Sequence, residues 1–256
     1  MSFRTFYINN AHICYQEQLS SDPAFEKFYL IENPDQVDII AVPDGCIDLE
    51  FTWENNICRG YVCGSFLQGG VSLVGRYHRC FGMKLRSNVR FGFLHQDTKE
   101  LMGRRIPLSM FLDSRPIEQR LSECGSFLEM TEAICKFFND KQLLALPIIA
   151  SSAAQMIAQA AGIQRISDVV SSMGYTQQYV NTIFRQNYGI SLKKYSDIVR
   201  MQTALQYLEA AKMMDAVADL GYYDQAHFIH EFKRYTLITP KLFIDQVCRN
   251  KQCMIV

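Results

Sequence analysis

The chain has 256 residues, 48% of them hydrophobic and 20% charged, with 26 basic and 26 acidic side chains. That composition supports one large packed domain or two ordinary ones and excludes a disordered tail. The charge is uneven: residues 151–256 carry 11 Lys and Arg against 8 Asp and Glu, so residues 1–150 are net acidic. The bias permits nucleic-acid binding by the C-terminal part without demanding it.

No apolar run approaches the ~20 residues of a membrane span. The first residues, MSFRTFYINN, lack the apolar core of a signal peptide, so a cytoplasmic protein with no membrane partner is expected. There are nine cysteines and no CxxC pair, the nearest spacings being Cys58 to Cys63 and Cys248 to Cys253. Reduced thiols are expected, not a zinc site or a disulfide framework.

Residues 1–110 read as strands and turns. Apolar stretches at Phe25 to Ile31, Ile39 to Val42, Ile47 to Phe51, Tyr61 to Phe66 and Val71 to Val74 lie between turn signals such as Asn33-Pro34-Asp35 and Pro43-Asp44-Gly45. Regular spacing of this kind predicts a β-sandwich or barrel. In DGCIDLEF, Ile47, Leu49 and Phe51 alternate with Cys46, Asp48 and Glu50, the pattern of a half-buried strand. Pro23 to Tyr29 also reads as a short helix. The basic run Arg76, His78, Arg79, Lys84 and Arg86 reads as a solvated strand face, with an anion site as the alternative.

From Pro116 the period becomes helical. Leu121, Phe127, Leu128, Met130, Ile134, Phe137 and Phe138 recur through residue 146, with Gly125 splitting two helices and Pro147 marking a break. So many apolar positions predict surface to spare, and with it a homodimer built on these helices.

From Ile148 onward the pattern is helix after helix. A helix runs over 148–161. A short one runs from Ser167, a candidate N-cap, to Met173, with Gly174 as its stop. A second starts after Thr176 and ends at Gly189, with Tyr179, Val180, Ile183 and Phe184 inward. A long helix then runs from Ser191 to about Ala211. The short helix, Gly turn and second helix repeat at about 214–220, Gly221 and 224–235, and a last helix begins at Thr239-Pro240.

Two such units are the pattern of a duplicated helix-turn-helix, whose second helix enters the DNA major groove. Gln and Asn pair with adenine, and Arg with guanine. The candidate base-reading residues are Gln177, Gln178, Asn181, Thr182 and Arg185 in the first copy. In the second they are Gln225, His227, His230, Lys233 and Arg234, with Asp224 as a helix cap. The joining helix, 20 residues by this reading, spans about 30 Å. That is close to the ~34 Å turn of B-DNA, so one chain can serve two successive major grooves.

These residues resemble the AraC/XylS-type transcription regulators. The resemblance is carried by ISDVVSSMGYTQQYVNTIFRQNYGISLKKY, by Arg200 and Ala204 in the linker helix, by AVADLGYYDQAHFIHEFKRY, and by Thr239-Pro240. It covers about 100 residues and implies double-stranded DNA as the partner, with RNA polymerase as a further one if the protein activates. Two positions depart from the family pattern. Thr182 stands where an Arg or Lys is common, and Leu237 stands where a Gly usually precedes Thr-Pro. In the N-terminal half, AVPDGCIDLEF resembles a branch of these regulators marked by a Pro-Asp-Gly-Cys turn, here Pro43 to Cys46. Many family members carry a cupin-like barrel there that binds a small-molecule effector, followed by helices that dimerise.

The expected architecture is therefore α+β with two domains. Residues 1–146 form a cupin-like barrel or sandwich with following helices, and residues 148–256 form an all-α DNA-binding domain. No cofactor, metal or catalytic residue is expected, since His12, His78 and His95 lack the HxH pairing of a metal-dependent cupin. Two other readings stay open: a regulator that binds a partner protein and not DNA, and a small-molecule enzyme in the barrel. His227 and His230, three apart, read as DNA-facing rather than metal-binding. Cys46 reads first as a small buried residue.

Overall fold

The computed structural model describes residues 6–7, 12–94, 98–139, 143–210 and 212–250, apart from the side chains of residues 7, 139 and 246–250. The β-rich stretch supplies β1 (Phe6–Tyr7), β2 (Cys14–Leu19), β3 (Phe25–Glu32), β4 (Ile39–Ala41) and β5 (Ile47–Glu54). It continues with β6 (Ile57–Gly64), β7 (Gly70–Ser72), β8 (Arg79–Leu85), β9 (Val89–Phe91) and β10 (Arg105–Pro107). Two helices follow, α1 (Arg115–Glu123) and α2 (Phe127–Asn139), and then β11 (Leu143–Ala145).

Six strands form one antiparallel sheet in the order β10-β6-β5-β8-β3-β2, and β1-β4-β7 form a smaller one. Strand alternation puts Phe28, Leu49, Phe51, Phe81 and Met83 on one face of the large sheet, against Leu121, Met130, Ile134 and Phe138 of α1 and α2. Tyr29, Ile31 and Cys80 on the other face meet Phe6, Ile39 and Ala41 of the small sheet. Each buried Leu, Ile, Phe or Met among them contributes roughly 1.5–3 kcal/mol by leaving water.

Covering both faces of the sheet has consequences that local pattern misses. Strand β5 is not half-buried: Asp48 and Glu50 are buried along with Leu49 and Phe51. Pro23 to Tyr29 does not form a helix, because Phe25 begins β3, which pairs with both β2 and β8. Lys84 does not belong to a solvated face. It is 0% exposed and ion-paired to Asp44. The helical pattern stops before residue 146, since Leu143–Ala145 pairs with β9. Finally, the apolar stripe expected to support a dimer is mostly used inside its own domain. Leu121, Met130, Ile134 and Phe138 are fully buried, Phe127 and Phe137 pack against the same core, and Leu128 is 58% exposed.

The C-terminal part contains α3 (Ile148–Gln159), α4 (Ile166–Ser172), α5 (Gln177–Tyr188) and α6 (Leu192–Glu209). It ends with α7 (Met213–Asp219), α8 (Gln225–Thr236) and α9 (Pro240–Asn250). One core runs through them, including Val180, Phe184, Val199, Leu205, Phe228 and Phe232, and it takes in Val42 and Leu146 from the sheet-rich part. Arg165, not Ser167, occupies the N-cap of α4, and Ser167 Oγ instead donates to Asp168. Ala211, where the long helix was expected to end, lies outside the described residues. Among the described residues, no helix is long and apolar enough to cross a membrane.

Candidate nucleic-acid interface

Helices α5 and α8 are built by the same set of hydrogen bonds. Thr176 Oγ1 accepts the Tyr179 N–H at the start of α5, and Asp224 Oδ1 accepts the His227 N–H at the start of α8. At their ends Gly189 and Leu237 both turn left-handed, with φ of 72° and 63°, and donate N–H to the carbonyls of Arg185 and Lys233. Each end is followed by another capped helix. Ser191 Oγ accepts the Lys194 N–H at the start of α6, and Thr239 Oγ1 accepts the Leu242 N–H at the start of α9. A side-chain oxygen at the first position satisfies an amide that the helix cannot, and a left-handed residue closes the last turn.

The shared ends align the two helices residue by residue, with Gln177 against Gln225 and Tyr188 against Thr236. Val180 and Phe184 are buried, as are their counterparts Phe228 and Phe232. Gln177, Gln178, Thr182 and Arg185 are exposed on α5, and Gln225, His227, His230, Lys233 and Arg234 are exposed on α8. The fold therefore brings nine of the ten candidate reading residues to the solvent faces of two equivalent helices.

Asn181 is the exception. It is half-buried, and its Oδ1 accepts the Leu192 N–H at 3.1 Å, tying α5 to the start of α6. Its counterpart Ile229 is half-buried as well. Tyr179 departs in the opposite sense. Expected in the core, it is 49% exposed, and its ring lies tilted against that of Tyr175 with centroids 5.6 Å apart. Its counterpart is the exposed His227, so the alignment of the two copies would have placed Tyr179 on the exposed face. Tyr175 and Tyr223 are likewise exposed, each directly ahead of a capping residue. Gln186, the counterpart of Arg234, is also exposed and was missed by periodicity alone.

The sheet-rich part grips both units. Thr98 Oγ1 donates to the Gln186 carbonyl at 2.8 Å, and the Gly69 N–H donates to the Arg234 carbonyl at 3.0 Å. Those two carbonyls occupy the same position in the two helices. Between them, Gln202 Nε2 of α6 donates to the Pro43 carbonyl at 2.7 Å. The Pro43 to Cys46 turn is thus a docking element. Gly45 lies against the Tyr195 ring of α6, so close that an added Cβ would stand 3.0 Å from it.

Behind the turn, Lys84 is held by Asp44. Burial lowers the lysine's affinity for a proton, but the nearby carboxylates, Asp44 foremost, more than reverse this and hold its pKa high. Burial pushes the Asp48 carboxyl well above its ordinary range, and the nearby Lys84 partly offsets this. Burial also pushes the Cys46 thiol well up, so it is held protonated and is a poor nucleophile.

His12 pairs with Asp35, His78 meets Gln36, and His95 lies outside the described residues. Among the described residues no group of three or more His, Cys, Asp or Glu is placed to hold a metal ion.

Residues 169–246 match the family model described as "Helix-turn-helix domain". No curated protein gives a match. Among solved structures, the C-terminal domain of AraT, a response regulator from Geobacillus stearothermophilus, is 21% identical at a TM-score of 0.37. That match covers 39% of this chain and 86% of the other. ToxT from Vibrio cholerae is 10% identical at a TM-score of 0.43, covering 95% of this chain and 99% of its own. At TM-scores this low these likenesses carry no argument about what the chain binds.

Proposed function

We propose that this chain, whose residues 169–246 form an AraC-type helix-turn-helix domain, is a sequence-specific DNA-binding transcription regulator that reads two successive major grooves. The observation that carries the reading is the duplication. Two helices with the same caps, the same left-handed ends and the same buried ridge each present a polar outer face. Helix α6 between them has 18 residues and so spans about 27 Å, which suits reading sites about one turn of B-DNA apart. Gln177, Gln178, Thr182 and Arg185 read one half-site, with Tyr179 beside them. Gln225, His227, His230, Lys233 and Arg234 read the other. Because both helices lie on one chain, two half-sites are reached without a second copy.

Control by a small-molecule effector of the N-terminal part is the finer proposal. The grip at Gln186, Gln202 and Arg234 is its route, since any shift of the sheet-rich part bears on both reading helices at once. A small cavity of about 40 Å³ lies at this junction, lined by Cys46, Arg86, Arg90, Asn187 and Tyr188 among others. RNA polymerase is the further partner of an activating role, and a homodimer is tested by sedimentation of the full chain.

Selection of bound duplexes from a random pool by the full chain tests the reading. The expected result is an enriched site with two half-sites about one helical turn apart, whose binding weakens steeply with salt. Recovery of unenriched sequence, or capture of a protein partner with no duplex binding at low salt, would sink it.

A further inference from the structure

A cavity of about 340 Å³ opens on the C-terminal part, lined by Gly162, Arg165, Gln177, Lys193, Ser196 and Arg200 among others. Its wall is fixed. The Gly162 carbonyl accepts the Ser196 hydroxyl at 2.9 Å, and a Cβ on Gly162 would collide with the α6 backbone at Ser196 and Arg200. The loop ahead of α4 is therefore clamped against the linker helix and cannot fill the space.

The cavity is cationic. Arg165, Lys193 and Arg200 line it. Asp197 Oδ1 accepts from Lys193 Nζ at 2.9 Å and from Arg200 Nη2 at 3.2 Å, so one carboxylate is shared between two cations. Asp168 on α4 is exposed and bonded by Ser167, and Glu231 on α8 acts with Asp197 on Tyr222, the ring beneath Arg200. Arg200 Nε is buried with no hydrogen-bond partner.

Position then gives the cavity a task. Gln177, on its rim, is the first residue of α5, the end of a reading helix that meets base edges. Arg200 also lies 5.0 Å over the ring of Tyr222, in the turn that leads into α8. The cavity thus sits between the starts of the two reading helices. When those helices occupy successive major grooves, the sugar-phosphate backbone between the grooves must cross this part of the protein.

We infer that the cavity formed by Arg165, Lys193 and Arg200 is a phosphate seat for the DNA strand that crosses between the two reading helices. The inference rests on the two-groove reading above and deepens it: base contacts specify, and this contact sets register. Ser196 fixes the wall, and Arg200 ties the seat to the second unit through Tyr222.

The test measures duplex affinity against salt for the full chain, for Arg165→Ala/Lys193→Ala, and for Lys136→Ala, an exposed charge change on α2. The duplex is the one selected from the random pool. Arg165 and Lys193 are exposed, so the double variant should fold, and circular dichroism checks that it does. The expected result is a slope of log K against log salt reduced by about 0.9 for each phosphate the double variant no longer neutralises, with base preference unchanged and Lys136→Ala like the wild type. A double-variant slope equal to that of Lys136→Ala overturns the inference while leaving the two-groove reading intact. A changed base preference overturns it too, because the cavity would then read bases. Inorganic phosphate at constant ionic strength should weaken duplex binding by the wild type more than by the double variant. Equal inhibition of the two would place the competed contact elsewhere and overturn the inference. If the wild type shows no salt-dependent duplex binding at all, both readings fall together.

Discussion

Helices α5 and α8 start and stop by the same hydrogen bonds, yet the residue that ends each is not the same: Gly189 in the first and Leu237 in the second. The surroundings account for the difference. A Cβ at Gly189 would stand 2.7 Å from the Thr98 carbonyl oxygen and 2.9 Å from Met102, because the sheet-rich part presses on that end. Leu237 is exposed, and Gly69 of the sheet-rich part meets the helix backbone from the Arg234 carbonyl to Thr236, stopping short of Leu237 itself. The left-handed turn is required in both copies by the path of the chain. The absence of a side chain is required only where a neighbour closes in. Duplication has preserved the backbone and let each copy settle its own contacts.

The largest expected effects concern base reading, where the copies should act alike. Gln178→Ala and His230→Ala should each lose about 1–3 kcal/mol of discrimination, at positions roughly one helical turn apart. Binding-site selection with each variant checks this. If both keep the wild-type preference, the exposed faces of α5 and α8 are not the reading faces.

Next in size is the asymmetry of the helix ends. Gly189→Ala should destabilise by about 1–2 kcal/mol from the left-handed conformation alone. Displacing the Thr98 backbone adds to that, so the melting temperature should fall clearly. An unchanged melting temperature would show that the sheet-rich part does not press on this end in solution.

Asn181→Ala should cost roughly 1 kcal/mol of stability, by removing the hydrogen bond to Leu192, and leave base preference untouched. His230→Ala should do the reverse. If Asn181→Ala relaxes preference instead, the half-buried amide reads bases after all, and the counterpart role of Ile229 is only packing.

The helical half was legible because its signals are local. Thr176, Asp224, Gly189 and Ser191 act within four residues of where they stand, and Val180 and Phe184 repeat at a period that one helix imposes. The β-rich half hid more, because its burial is set by distant partners. Nothing near Lys84 in sequence announces Asp44, forty residues away, and nothing in Phe25 to Tyr29 distinguishes a helix from a strand flanked on both sides. At the candidate site, the exposure of nine of the ten candidate positions followed from periodicity. Asn181 did not, because its partner is the first amide of another helix. Tyr179 did not either, because an aromatic at helical spacing is read as core unless the two copies are laid side by side. The grip of Pro43, Gly69 and Thr98 on the helices has no local signature at all.

The smallest expected effect isolates the helix end itself. Leu237 adopts a conformation that costs an L-residue with a Cβ roughly 1–2 kcal/mol and costs glycine nothing. Its side chain is 43% exposed, so part of its apolar burial offsets that strain in the native protein. Glycine also gains freedom in the unfolded chain, which works against stability. Leu237→Gly should therefore raise stability by well under the full strain, about 0.5 kcal/mol, seen as a small rise in melting temperature. The sign is what matters, because it is opposite to that of Gly189→Ala. A fall on Leu237→Gly would mean that packing of the leucine outweighs its strain. The second copy would then hold its end by side-chain contact, where the first holds it by backbone shape.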